Sequence, residues 1–182
     1  AKGGVTVLEV SLTTPGAENV IAGLKDRLGC DYTVGAGTVT DEAAVLKAIK
    51  CGSEFVIAPN YDEAVAKICR ENDLSYIAGV GSMTELVNAI RGGADMQKLF
   101  PAKCYGPHFV SMAKAPIPQA KLIPTGAIVP DEAEEWFSAG AYALAIGGAI
   151  THPQKGICDE GFITANAAEI VEKIKAAKRL RK

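Results

Sequence analysis

Lys98 stands in Met96-Gln97-Lys98-Leu99-Phe100-Pro101, an alternating run that ends in a proline. In a strand, alternation puts Met96, Lys98 and Phe100 on one face and Gln97 and Leu99 on the other. An amine held among apolar neighbours can attack a carbonyl, because desolvation disfavours its charged form. At its free pKa near 10.4 only about 0.04% of a lysine is neutral at pH 7. A drop of roughly 3 units makes the amine about a thousandfold more available. A rim lysine that snorkels to solvent, or an edge strand with Lys98 outward, fits the same residues. Glu9 is the second group. It is the only charge in Val5-Thr6-Val7-Leu8-Glu9-Val10 and shares a face with Val5 and Val7. A carboxylate on a buried strand needs a partner, since an unpaired buried charge costs several kcal/mol. A general acid/base near Lys98 and a structural ion pair with it satisfy that need equally. An ionised Glu9 favours the ammonium, so its expected catalytic work is proton transfer and not permanent pairing. Thr125-Gly126-Ala127 and Ile146-Gly147-Gly148-Ala149 form a third group. Such strand ends can offer backbone N–H groups and a helix N-terminus to a phosphate, although Gly-Gly is also common turn punctuation.

Positioning these groups falls to a repeated pattern. Short apolar runs at 5–10, 32–35, 54–58, 75–79, 96–100, 121–125 and 142–146 alternate with helical stretches. The helices are expected near 16–28, 41–50, 61–72, 83–91, 106–113, 130–139 and 166–180. Thr40-Asp41-Glu42 offers a capping hydroxyl before acidic residues, and Pro130 with Asp131 and Glu132 suits a helix start. Gly52, Gly92-Gly93 and Gly140 mark ends. Repeated strand-helix units imply a parallel sheet. No G-x-G-x-x-G opens the first helix, and Gly35-Ala36-Gly37-Thr38 is only half of that signature, so a dinucleotide fold is not favoured. The expectation is an α/β (β/α)8 TIM-type barrel in one domain. Its polar and glycine-rich strand ends, from Glu9 to Gly147-Gly148, would converge on one mouth. Lys2-Gly3-Gly4 reads like the end of a helix, so the barrel is expected to lack its first strand-helix unit in this sequence.

The 182 residues, 48% hydrophobic and 22% charged, suit a globular enzyme with a sizeable core. A formal net charge of -2 provides no basic field, so nucleic acid is not an expected partner. The basic residues Lys173, Lys175, Lys178, Arg179, Arg181 and Lys182 read as solvated surface at a helix end. No apolar run reaches the roughly 20 residues that span a bilayer, and no signal peptide opens the chain, so no membrane partner is expected. Cys30, Cys51, Cys69, Cys104 and Cys158 show no C-x-x-C spacing, and His108 and His152 lie far apart. No metal site or disulfide framework is expected, and a reducing cytoplasm fits.

Taken in order, these motifs resemble the 2-keto-3-deoxy-6-phosphogluconate and 4-hydroxy-2-oxoglutarate aldolases. The matching runs begin with Gly3-Gly4-Val5, Leu8-Glu9-Val10 and Gly35-Ala36-Gly37-Thr38-Val39. They continue through Glu54-Phe55-Val56-Ile57-Ala58-Pro59, Gly79-Val80 and Thr84-Glu85-Leu86. Lys98-Leu99-Phe100-Pro101-Ala102, Pro124-Thr125-Gly126 and Ile146-Gly147-Gly148 complete the series. The resemblance implies a class I aldolase of carbohydrate metabolism, usually a homotrimer, working without a metal or cofactor. It implies that Lys98 forms a Schiff base with a pyruvate-type 2-keto acid and that Glu9 is the general acid/base. It places Thr125, Phe100 and Pro101 at the keto acid with Thr38 close by, and Gly126, Gly147 and Gly148 at a phosphate. The small-molecule partners would be a 2-keto acid and an aldehyde.

Three departures bear on the aldehyde. Thr13 stands where many members carry an arginine. Ala127 and Ala149 stand where many carry glycine and serine, which weakens the case for a phosphorylated aldehyde. Two rivals share parts of the pattern. An epimerase, isomerase or thiamine-phosphate-type transferase would use the glycine-rich ends but not a nucleophilic lysine. A scaffold would keep the pocket without turnover, and its open strand edges would have to be covered.

Overall fold

The chain is described here by a computed structural model over residues 1–152 and 159–180; Cys158, Arg181 and Lys182 lie outside the described residues. It parts into two compact units, one of residues 6–98 and one combining residues 1–5 with residues 99–182. In the first unit β1 (Val7–Ser11), β2 (Thr33–Gly37), β3 (Phe55–Ile57) and β4 (Ser75–Val80) lie side by side, the first three junctions with parallel register. β5 (Met96–Leu99) follows β4 in the sheet. Helices α1 (Ala17–Leu28), α2 (Glu42–Lys50), α3 (Glu63–Glu71) and α4 (Met83–Arg91) alternate with them. Val34, Val45, Val56, Val65, Tyr76 and Leu86 are buried between strands and helices.

Local chemistry starts and stops these helices. Asp41, Asp62 and Ser82 each accept a backbone N–H from three residues on, at Ala44, Val65 and Glu85. Glu85 reciprocates from the third helical position, accepting Gly81 N–H at 2.8 Å and the Ser82 hydroxyl at 3.0 Å. The cap of α2 is thus the Asp41 carboxylate, and Thr40 stands one residue outside it; a charged acceptor is the stronger partner for free N–H groups.

The second unit carries α5 (Ala102–Lys114), β6 (Leu122–Pro124), α6 (Ala133–Ser138), α7 (Gly148–Thr151) and α8 (Glu160–Arg179). α5 is interrupted at Gly106, with φ 70° and ψ 170°, and Pro107 opens its second part. That break coincides with the helix start read from the sequence. α8 begins earlier than expected, because Asp159 caps it by accepting Phe162 N–H at 2.8 Å.

One strand expectation fails. Residues 142–146 make one isolated parallel bridge, Thr125 to Ala145, and no strand. Tyr142 N–H and Ala145 N–H reach Leu122 and Pro124 carbonyls, but none of residues 142–146 is buried. Apolar composition is present there, yet the ladder and the packing that hold an extended run are incomplete. Among the described residues no helix is long and apolar enough to cross a membrane.

Candidate active site

In the unit of residues 6–98, β1 and β2 pair with Glu9 opposite Gly35 and Ser11 opposite Gly37. The Glu9 side chain leans across β2, so that a Cβ built on Gly37 would fall 1.2 Å from Glu9 Oε1. On β5 the expected alternation holds. Gln97 is 3% exposed and Leu99 0%, whereas Met96 and Lys98 are half-buried on the other face.

Glu9 and Lys98 act on each other electrostatically. Burial pushes the Glu9 carboxyl above its ordinary range, and the nearby Lys98 charge pulls it partly back. Burial pushes the Lys98 ammonium below its ordinary range, and Glu9 pulls it partly back. As a residue Glu9 remains exposed, and no residue of β1 is buried, although the protein around the carboxyl desolvates it. Burial thus favours the neutral amine and the protonated carboxyl, the forms that attack a carbonyl and donate a proton.

Thr38 closes β2 at φ 58°, a left-handed conformation uncommon for a β-branched residue. Its Oγ1 lies 2.7 Å from Ser11 Oγ, and Ser11 Oγ is 2.9 Å from Thr13 Oγ1. Ser11 was not among the expected site residues. The signal was available, since Ser11 follows Glu9 by two and so shares its face.

The unit that includes residues 99–182 holds the other expected residues. Phe100 is 39% exposed, and the Phe100–Pro101 peptide is cis. Thr125 N–H donates to the Leu99 carbonyl at 3.0 Å, and the Thr125 carbonyl accepts Ala102 N–H at 2.8 Å. Thr125 thereby holds the chain on both sides of Phe100 and Pro101. Its Oγ1 donates to the Ile123 carbonyl at 3.1 Å. Gly126 has φ 100°, and a Cβ there would approach the Phe100 ring to 3.1 Å. Phe100, Pro101, Thr125 and Gly126 therefore adjoin. Gly147 and Gly148 are exposed, Gly147 capping the four-residue α7, which offers far less helix than a full macrodipole needs. Among the described residues no three His, Cys, Asp or Glu side chains group as metal ligands do.

Comparison with known proteins matches residues 1–168 to the family model described as KDPG and KHG aldolase. The KHG/KDPG aldolase of Escherichia coli K12 is 32% identical over 173 residues, covering 93% of this chain and 80% of that protein. The solved 2-keto-3-deoxy-6-phosphogluconate aldolase of Zymomonas mobilis ZM4 with 3-phosphoglycerate is 30% identical. It superposes with a TM-score of 0.81, covering 93% of this chain and 79% of that one. KDPG aldolase from Legionella pneumophila, with pyruvate captured as a covalent carbinolamine, is 28% identical with a TM-score of 0.79. That match covers 97% of this chain and 82% of that one. These structures share its fold class, the α/β TIM type built of parallel strand-helix units.

Proposed function

From the premise that this chain belongs to the KDPG and KHG aldolase family, we propose that it cleaves a 4-hydroxy-2-keto acid reversibly to pyruvate and an aldehyde through an imine on Lys98. The single observation that carries the site assignment is the coupling of Lys98 and Glu9, each shifted by burial toward its neutral form and each reached by the other's charge.

The neutral Lys98 Nζ attacks C2 of the keto acid, and Glu9 passes protons as the carbinolamine loses water. The protonated imine is the electron sink. Glu9 then takes the C4 hydroxyl proton, directly or through a water, the C3–C4 bond breaks, and an enamine and an aldehyde result. Water adds to the reprotonated imine and frees pyruvate. Thr38, Phe100, Pro101 and Thr125 are proposed contacts of the keto acid, and Gly126, Gly147 and Gly148 of the aldehyde's distal end. The substrate is of the 2-keto-3-deoxy-6-phosphogluconate or 4-hydroxy-2-oxoglutarate type, used in carbohydrate metabolism. The assembly is proposed to be a homotrimer in the cytoplasm, a location supported by the free thiols of Cys30, Cys51, Cys69 and Cys104.

Incubation with pyruvate and borohydride, followed by peptide mass spectrometry, tests the chemistry. A reduced pyruvate adduct on Lys98 is expected, and Lys98→Ala should lose both adduct and turnover. Folded protein without an adduct would move the assignment to a phosphate-binding enzyme of another class, which has no use for a nucleophilic lysine.

A further inference from the structure

Four glycines in the unit of residues 6–98 sit where a side chain would come within 3 Å of other atoms, and what they make room for differs; at Gly92 it is the Tyr61 side chain, with Oη at 1.8 Å. A Cβ on Gly35 would meet the Phe55 ring at 2.5 Å, so that glycine serves core packing. A Cβ on Gly79 would meet the Pro59 and Asn60 backbone at 2.0–2.4 Å, so that one serves close approach of two chain segments. On Gly37 the three nearest atoms all belong to Glu9: Oε1 at 1.2 Å, Cδ at 2.2 Å and Cγ at 2.9 Å. Gly37 is in β2 without a left-handed φ, so its backbone conformation is open to alanine. Glycine also weakens a strand interior, where it has no side chain to pack. Neither the backbone nor the core explains why position 37 is empty, whereas the carboxylate does.

We propose that Gly37 is a positioning residue whose missing side chain forms the seat of the Glu9 carboxylate, holding it across β2 where it can serve Lys98. The inference rests on the Schiff-base reading above. A methyl group at position 37 would displace the far end of a flexible side chain and leave the rest of β2 in place. Its cost should therefore fall on proton transfer more than on folding. Among the described residues the charge that shifts Glu9 is that of Lys98, and β2, the strand paired with β1, carries no titratable residue. α1 also packs on β1 and bears Glu18, Lys25, Asp26 and Arg27, with Lys25 paired to Glu54 at 2.7 Å. A displaced carboxylate thus removes the influence that raises the Lys98 titration.

The test uses pyruvate alone, which needs no knowledge of the aldehyde. Wild type, Gly37→Ala, Glu9→Gln and the double variant are compared by thermal melting, borohydride trapping and exchange of the pyruvate methyl protons into deuterated water. Gly37→Ala is expected to melt with the wild type and still form the Lys98 adduct. Its exchange rate should fall about 10²-fold, the scale of a misplaced catalytic group. In the Glu9→Gln background the same substitution should add no further loss. The pH midpoint of adduct formation should move down in Gly37→Ala, as it should in Glu9→Gln. Unchanged exchange, or an equal fold-loss in both backgrounds, overturns the proposal. If Gly37→Ala fails to fold, Glu9→Ala should restore folding in that background, because the seat is then vacant; a pair that stays unfolded also overturns it. A wild type that forms no adduct overturns the Schiff-base reading itself, and the seat with it.

Discussion

Two influences of opposite sign meet on Glu9 and Lys98. Burial drives each toward its neutral form, and their mutual attraction drives each toward its charged form. Burial is the larger in both, which is what a nucleophilic amine and a proton-carrying carboxyl require. The sign of a substitution follows. Glu9→Gln removes the negative charge that raises Lys98, so Lys98 should lose its proton at lower pH than in the wild type. The pH midpoint of imine formation with pyruvate, followed by borohydride trapping, should therefore shift downward. At the same time turnover should fall roughly 10²–10⁴-fold. An unmoved midpoint would leave Glu9 with no electrostatic hold on the lysine. Stability has its own sign. Because the folded state raises Glu9, the proton binds more tightly in the native state, and stability is lost as pH rises through the folded pKa. Lys98 is lowered on folding, so its contribution is lost as pH falls through its folded pKa. The alternation that put Lys98 opposite Gln97 and Leu99 was legible in six residues, because a strand's period of two is a local property. The seat of Glu9 was not. It depends on the β1–β2 register, which pairs Ser11 with Gly37 and belongs to two segments far apart in the chain.

Among the elements, α3 shows how a short helix is held. Asp62 accepts Val65 N–H at 2.9 Å, while its own N–H donates to Tyr76 Oη at 3.2 Å. Tyr76 Oη donates in turn to the Asn60 carbonyl at 3.2 Å, so one strand residue supports the loop that delivers the cap. Asp62→Ala should cost about 1 kcal/mol, the usual loss of a side-chain N-cap. Urea unfolding followed by circular dichroism would measure it, with the Tyr76 contacts to the backbone retained. The starts of α1 to α4 were readable to within two residues, since caps are chosen from few side chains, whereas α5 begins four residues and α8 six residues before the starts read from the sequence. At α2 the sequence offered both Thr40 and Asp41, and the structure uses the carboxylate. Residues 142–146 show the opposite limit. Their composition suits a strand, but strands exist through their neighbours, and a single bridge to Thr125 does not make one.

For the molecule as a whole, the first five residues belong to the unit that holds residues 99–182. Gly3 is buried there against α8, where a Cβ would lie 2.6 Å from Ala167 Cβ and 2.7 Å from the Thr164 carbonyl oxygen. These are backbone and short side-chain atoms that cannot swing aside. Gly3→Ala should destabilise by about 1–3 kcal/mol, as overpacking does. Denaturant unfolding would register it, and stability equal to wild type would mean that the chain start shifts freely on α8. The contrast with Gly37 is instructive, since there the obstructing atoms are the tip of a flexible carboxylate.

The sequence by itself determined the alternation of strands and helices, the face on which Lys98 stands and the family to which the chain belongs. Each is carried by residue type and local spacing. Only the tertiary structure decided that Glu9 lies over Gly37, that Ser11 bonds Thr38, that Thr125 brackets Phe100 and Pro101, and that 142–146 stops short of a strand. Register and packing join residues that chain spacing leaves far apart, and both exist only once the strands are side by side.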